Sequence, residues 1–130
     1  MKILLLGLLI SGSVFANGSL SGDRAEDLFN SLPKELFEIG PGAVSKSAVD
    51  VSCIAYPNRG NSTYRCEMRK IDGSALSLDL HEAEELFNAL PIELIRMKPG
   101  SIFKNALEVN CFAYPNRGDS IYHCEIVEKD

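Results

Sequence analysis

Two six-residue words decide how this chain folds: Ala55-Tyr56-Pro57-Asn58-Arg59-Gly60 and Ala113-Tyr114-Pro115-Asn116-Arg117-Gly118. A cysteine stands two residues before each alanine (Cys53, Cys111), and another stands six residues after each glycine (Cys66, Cys124). Working outward, a shift of 58 residues aligns Arg24 to Met68 with Glu82 to Ile126 without a gap, and 25 of those 45 positions are identical. The chain therefore reads as two copies of one unit, about 18–70 and 76–128. Repeats that cannot bury an apolar face singly do so together, so 17–130 is expected to be a single domain with one shared core.

Alternation around the words predicts a hairpin in each copy. Val49, Val51, Cys53 and Ala55 share one side of a strand, and so do Leu107, Val109, Cys111 and Ala113. The returning strands put Tyr64, Cys66 and Met68, and Tyr122, Cys124 and Ile126, on their inner sides. Four cysteines allow three pairings. The repeat selects Cys53 with Cys66 and Cys111 with Cys124, one bridge per unit. If Cys53 faces Cys66, paired residue numbers sum to 119, and the loop is Arg59-Gly60 or Asn58 to Asn61, with Gly60 at a positive φ.

Upstream of each hairpin the pattern is helical. Leu28, Phe29, Leu32 and Leu36, matched by Leu86, Phe87, Leu90 and Leu94, gather on one helix face. Asp79 with Glu82 forms a capping-box pattern, and Ser21 or Asp23 caps the first helix. Pro33 and Pro91 predict a kink or a second short helical turn, and Pro41-Gly42 and Pro99-Gly100 end the helical region. The fold class is thus α+β: two helix-strand-strand units forming a four-stranded antiparallel sheet with both helices on one face. Lys70 to Ala75 is a short polar connection.

Met1 to Ala16 reads as a signal peptide: Lys2, an apolar run from Ile3 to Ile10, then small residues before a cut after Ala16. The run is too short to span a membrane, and cysteine usage fits an oxidising compartment, so the protein is expected to be secreted or periplasmic. Removing the leader takes one lysine, leaving 12 basic against 18 acidic residues and a formal charge of −6. Without a basic cluster, nucleic acid is excluded as a partner. The twelve-residue gap between cysteines, with no histidine at ligand spacing, excludes a zinc site, and no motif calls for a cofactor.

With the cysteine side buried, the outer hairpin faces carry Ile54, Tyr56, Thr63 and Arg65 in the first copy and Phe112, Tyr114, Ile121 and His123 in the second. Tyr and Arg dominate binding energies at interfaces, and the tips present Asn58, Arg59, Asn116 and Arg117. The candidate binding residues are therefore Tyr56, Asn58, Arg59, Arg65, Phe112, Tyr114, Asn116, Arg117 and His123. No catalytic residues are assigned. Neither His81 nor His123 is kept by the repeat, and Glu67 and Glu125 read as solvated strand residues. The expectation is a small exported binding protein, an inhibitor or adaptor of another secreted or envelope protein. The alternatives are a hydrolase at the repeat junction, or an envelope component that self-associates, for example as a homodimer, through its aromatic strips. Asn17-Gly18-Ser19 and Asn61-Ser62-Thr63 match the glycosylation pattern.

Overall fold

The computed structural model describes residues 17–58, 60–116 and 119–128; the leader through Ala16 lies outside them. The fold is α+β. Strands β1 (Asn17–Ser21), β2 (Phe37–Gly40), β3 (Ala43–Asn58), β4 (Asn61–Arg69), β5 (Ala75–Asp79), β6 (Ile95–Lys98), β7 (Ser101–Asn116) and β8 (Asp119–Glu128) form one antiparallel sheet, ordered β1-β8-β7-β3-β4-β5. β2 pairs with the start of β3, and β6 with the start of β7. Helices α1 (Gly22–Ser31) and α2 (Leu80–Ala89) cover one face.

Eight strands replace the four expected, because each unit is strand-helix-strand-strand-strand rather than helix-strand-strand. Two signals concealed the extra strands. Pro41-Gly42 and Pro99-Gly100 do not end helices. They are the turns of the β2–β3 and β6–β7 hairpins, and Gly42 and Gly100 take the positive φ (77° and 86°) that such a turn requires. The five residues before each helix also form a strand, which carries a leucine, Leu20 or Leu78, into the core. The connection at 70–74 is a tight turn closed by Lys70 and Ser74, and the Ser74 amide and hydroxyl both donate to Asp72. Those two bonds hold the Asp72 carboxyl below its ordinary range.

The helices are shorter than the leucine pattern: Leu32 and Leu90 cap them in extended conformation and Leu36 and Leu94 lie in separate 3₁₀ turns, although all four are buried. Leu28, Phe29, Leu86 and Phe87 are buried, and a 3₁₀ turn (Lys34–Leu36, Ile92–Leu94) begins directly after each proline. Ser21 and Asp79 occupy the N-cap positions, but neither side chain makes a capping hydrogen bond.

The central pair β3–β7 is symmetric under exchange of the two halves. Val44↔Ala113 has its counterpart in Ala55↔Ile102, and Lys46↔Cys111 in Cys53↔Lys104. The hairpin register is the expected one: Cys53↔Cys66 through Asn58↔Asn61, with Gly60 at φ 85°. Both bridges form, Cys53–Cys66 and Cys111–Cys124, each with Cα atoms 4.0 Å apart.

A bulge corrects one part of the facing. Between Val49 and Ser52 the register against β4 slips, with Asp50 at φ 50°, and between Ala106 and Glu108 it slips against β8. An extra residue reverses the alternation on one side of it. Val49 is consequently only half-buried and Leu107 is 42% exposed, while Ala48 and Ala106 take the inward positions. Leu107→Ser is therefore expected to change stability by less than about 0.5 kcal/mol, whereas Val109→Ser, two residues on and fully buried, should cost several times more in urea denaturation.

The halves exchange their opening elements. β1 pairs with β8 and β5 with β4, so each unit's first strand completes the other unit's hairpin. The helices follow: α1 lies against β8 and α2 against β4. Ala25 of α1 meets the second bridge (Cys124 Sγ to the Ala25 carbonyl, 3.5 Å), and Ala83 of α2 meets the first (Cys66 Sγ to the Ala83 carbonyl, 3.5 Å). Phe29 packs on Tyr122 and Phe87 on Tyr64, with ring centroids 5.6 and 5.5 Å apart. One apolar cluster draws on both halves.

Candidate functional site

The helices leave the other sheet face uncovered, and cross-strand registers place its residues. At one end, Arg65 (β4), Ile54 (β3), Phe103 (β7) and Arg96 (β6) are successive register partners, with Tyr56 opposite Thr63 one step nearer the hairpin tip. Lys98 Nζ stands 5.0 Å from the Phe103 ring centroid, and Arg65 pairs with Glu67 at 3.2 Å. At the other end, His123 (β8), Phe112 (β7), Ser45 (β3) and Glu38 (β2) form the equivalent row, with Tyr114 opposite Ile121. Phe112 and Tyr114 stack, with centroids 6.2 Å apart, and His123 Nε2 lies 3.3 Å from Glu125. Ser52 donates to Asn105 at 2.7 Å between the two ends.

Of the expected binding residues, Tyr56, Arg65, Phe112, Tyr114 and His123 all lie on this face. The structure does not bring them together in one patch. β3 and β7 run antiparallel, and Tyr56 and Tyr114 sit at opposite ends of the central pair, thirteen residues apart along β3 or about 40 Å at the rise of a strand. Tyr56 and Tyr114 are each 42% exposed. Asn58 and Asn116 end their strands, but their side chains, with Arg59 and Arg117, lie outside the described residues.

The cavities between the helices are lined by polar and acidic residues. A cavity of about 410 Å³ between α1 and α2 is lined by Asp27, Asn30, Ser31, Glu85, Asn88 and Ala89. A second of similar volume at the junction of the units includes Glu35, Glu82, Glu85 and buried Lys46, and a third of about 290 Å³ lies beside Glu38, Lys70 and Asp72. His81 and His123 line none of these three. Among the described residues, no group of three or more His, Cys, Asp or Glu could hold a metal ion.

Sequence reasoning missed a pair of buried lysines. Lys46 and Lys104 are 8% and 5% exposed. Each helix ends before a proline, so the carbonyls of Phe29 and Phe87 face Pro33 and Pro91, which have no N–H to offer four residues on. Lys46 Nζ donates to Phe29 (3.0 Å) and Leu32 (2.8 Å) instead, and Lys104 Nζ donates to Phe87 and Leu90 (both 2.7 Å). Each ammonium also stands over its helix's phenylalanine ring, at 4.8 and 4.6 Å. Burial lowers both pKa values from 10.5, with Glu93 opposing the shift at Lys104. The repeat keeps both lysines, thirteen residues after each proline, but the alternation through Val49, Val51 and Cys53 puts position 46 on the outer side, and only the bulge turns it inward. These lysines are therefore structural and do not face the open sheet.

The chain holds two disulfides, and among its described residues no helix is long and apolar enough to cross a membrane. No known protein family, curated protein or solved structure matches the chain.

Proposed function

We propose that this is a small exported binding protein, an inhibitor or adaptor of another secreted or envelope protein, and that its contact surface is the uncovered sheet face. The observation that carries this reading is the pair Tyr56 and Tyr114, half out in solvent on a face that no element of the described residues covers. Beneath each hairpin a fully buried disulfide ties the two strands together three residues from the tyrosine. An aromatic side chain on a stapled strand loses little conformational freedom on binding, which is how such residues become anchors.

Two anchors about 40 Å apart at opposite ends of the face suit two contacts better than one. This favours a protein that joins or blocks two surfaces over one that closes a single cleft. Export rests on the leader and the cysteine usage. The tip arginines Arg59 and Arg117 remain assigned to the contact by their place in the sequence.

Purified mature protein, titrated against the partner captured from the exported fraction, is expected to lose at least about tenfold in affinity with either Tyr56→Ala or Tyr114→Ala. The Arg59→Ala/Arg117→Ala double variant measures the tips. Unchanged binding in both tyrosine variants would remove the sheet face from the mechanism. Sedimentation of the free protein as a dimer that the same substitutions dissociate would assign the face to self-association.

A further inference from the structure

We infer that the end of the sheet face built around Phe103 takes an acidic, extended segment of a partner protein, with a glutamate or aspartate on either side of an apolar residue. This rests on the binding reading above and names the chemistry of one of its two contacts.

The duplication supplies the comparison that singles out this end. Each end combines one unit's hairpin with the other unit's β2 or β6 strand, so equivalent positions can be matched directly. Where one end has Arg65, Arg96, Lys98 and Phe103, the other has His123, Glu38, Gly40 and Ser45. Three cations at one end thus correspond to one histidine and one carboxylate at the other, while each end keeps one phenylalanine on β7, Phe103 or Phe112. The shared residues of the hairpin are explained by the fold. Arg65, Lys98 and Phe103 are not, since none of them is buried.

The spacing suits an extended chain laid across the strands. Arg65, Ile54, Phe103 and Arg96 occupy four neighbouring strands, so the two guanidinium-bearing positions are three strand spacings apart, about 14 Å. In an extended segment, residues i, i+2 and i+4 share one side, and the first and last lie about 13 Å apart. Carboxylates at i and i+4 therefore reach the two arginines while the residue at i+2 rests on Ile54 and Phe103. Lys98, held over the Phe103 ring, adds a third cation on the Arg96 side.

The cations are already placed. Arg65 pairs with exposed Glu67, an interaction worth at most about 1 kcal/mol, which an incoming carboxylate can replace. Arg96 is held at 2.9 Å by the buried carboxylate of Glu128, and a guanidinium has five N–H donors, so it can take a second carboxylate without leaving the first. Glu67 and Glu128 are each paired with one of the two arginines, while Lys98 stands over the Phe103 ring; the cavities lined by Asp27, Glu82 and Glu85 lie on the helix side.

The test uses the mature protein and a fluorescein-labelled peptide with the core Glu-Thr-Leu-Thr-Glu, followed by anisotropy. Binding is expected to weaken by about tenfold or more when both glutamates become glutamine, to fall similarly in Arg65→Ala/Lys98→Ala, and to decline steeply with salt. Lys34→Ala, exposed on the 3₁₀ turn after α1 and outside this face, should change nothing. Arg65→Gln/Lys98→Gln repeats the measurement with the side-chain stems kept, and matching thermal unfolding confirms the fold of each variant. Equal binding of the glutamine peptide, or indifference to the paired variants, overturns the inference. So does binding confined to polygalacturonate or to phosphatidylglycerol vesicles, which would assign the cations to a polysaccharide or a lipid surface. Loss of the captured partner in Tyr56→Ala but not in Arg65→Ala/Lys98→Ala would sink the acidic segment and leave the contact surface standing; indifference to both would sink the two together.

Discussion

Replacing Lys46 and Lys104 together by methionine is expected to bring this protein close to unfolding at room temperature. Methionine keeps most of the apolar stem and removes every donor, so each substitution strands two carbonyls at the end of a helix, those of Phe29 and Leu32 or of Phe87 and Leu90. A buried acceptor left without a partner costs about 1–3 kcal/mol, which puts each site near 3 kcal/mol and the pair near 6. A domain of this size has about 5–15 kcal/mol in total. The proline after each helix makes the loss irreparable locally, because no backbone N–H can take over. Single variants measured by chemical denaturation should each lose about 3 kcal/mol; losses under about 0.5 kcal/mol would show that water or a shifted backbone satisfies the carbonyls.

The same lysines set a pH dependence of definite sign. Their folded pKa values lie below 10.5, so the unfolded chain holds these protons more tightly and stability rises with pH wherever that difference is felt. Wild type is thus expected to gain on the methionine variants as pH climbs from neutral into the lysine range, levelling off above 10.5. The neutral amine still has two N–H groups, enough for its two carbonyls.

Removing the first bridge, as Cys53→Ala/Cys66→Ala, is expected to cost about 2–3 kcal/mol, at or somewhat below the chain-entropy value for a loop of this length because the hairpin is local in any case. The location of the damage is the more informative result. Cys66 lies against Ala83 of α2, in the other half of the sequence. Hydrogen exchange should therefore accelerate in α2 more than in α1, although α1 belongs to the same repeat as the bridge. Removal of Cys111–Cys124 should do the reverse, through Ala25. Faster exchange in the helix of the same half would contradict the exchanged packing.

What could be read from the amino acids alone was whatever depends on short-range chemistry. Cysteine equivalence, the alternation around Tyr56 and Tyr114, and the glycine in the tip fixed the bridges and the hairpin register, because each is decided within about fifteen residues. The helix leucines marked the buried face for the same reason. Strands β2 and β6 escaped notice because a four-residue strand carries too little alternation to show, and a Pro-Gly pair serves a hairpin turn as well as a helix stop. The bulge at Leu107 escaped because one extra residue leaves the apolar pattern intact and only changes which side it faces. The site was legible residue by residue but not as an arrangement: Tyr56, Arg65, Phe112, Tyr114 and His123 are on the uncovered face, while their separation into two ends follows from the β3–β7 register, and Phe103 and Lys98 enter from the other unit. A pairing between residues 47 or more apart leaves no periodic trace in either strand.

The exchange of opening strands also sets an order of events. Asn17 to Ser21 pairs with residues 123–127, and α1 rests on that same last strand. While the chain is being made, its first strand has no pairing partner until residues 123–127 exist, and α1, which also touches α2 and β7, lacks its main support until then. The first hairpin and its bridge can close early, since they are local, but the amino-terminal end must wait for the carboxyl-terminal end. Pairings at this sequence distance are slow to form, so Leu20 stays in water until β8 arrives, well after the first hairpin can close.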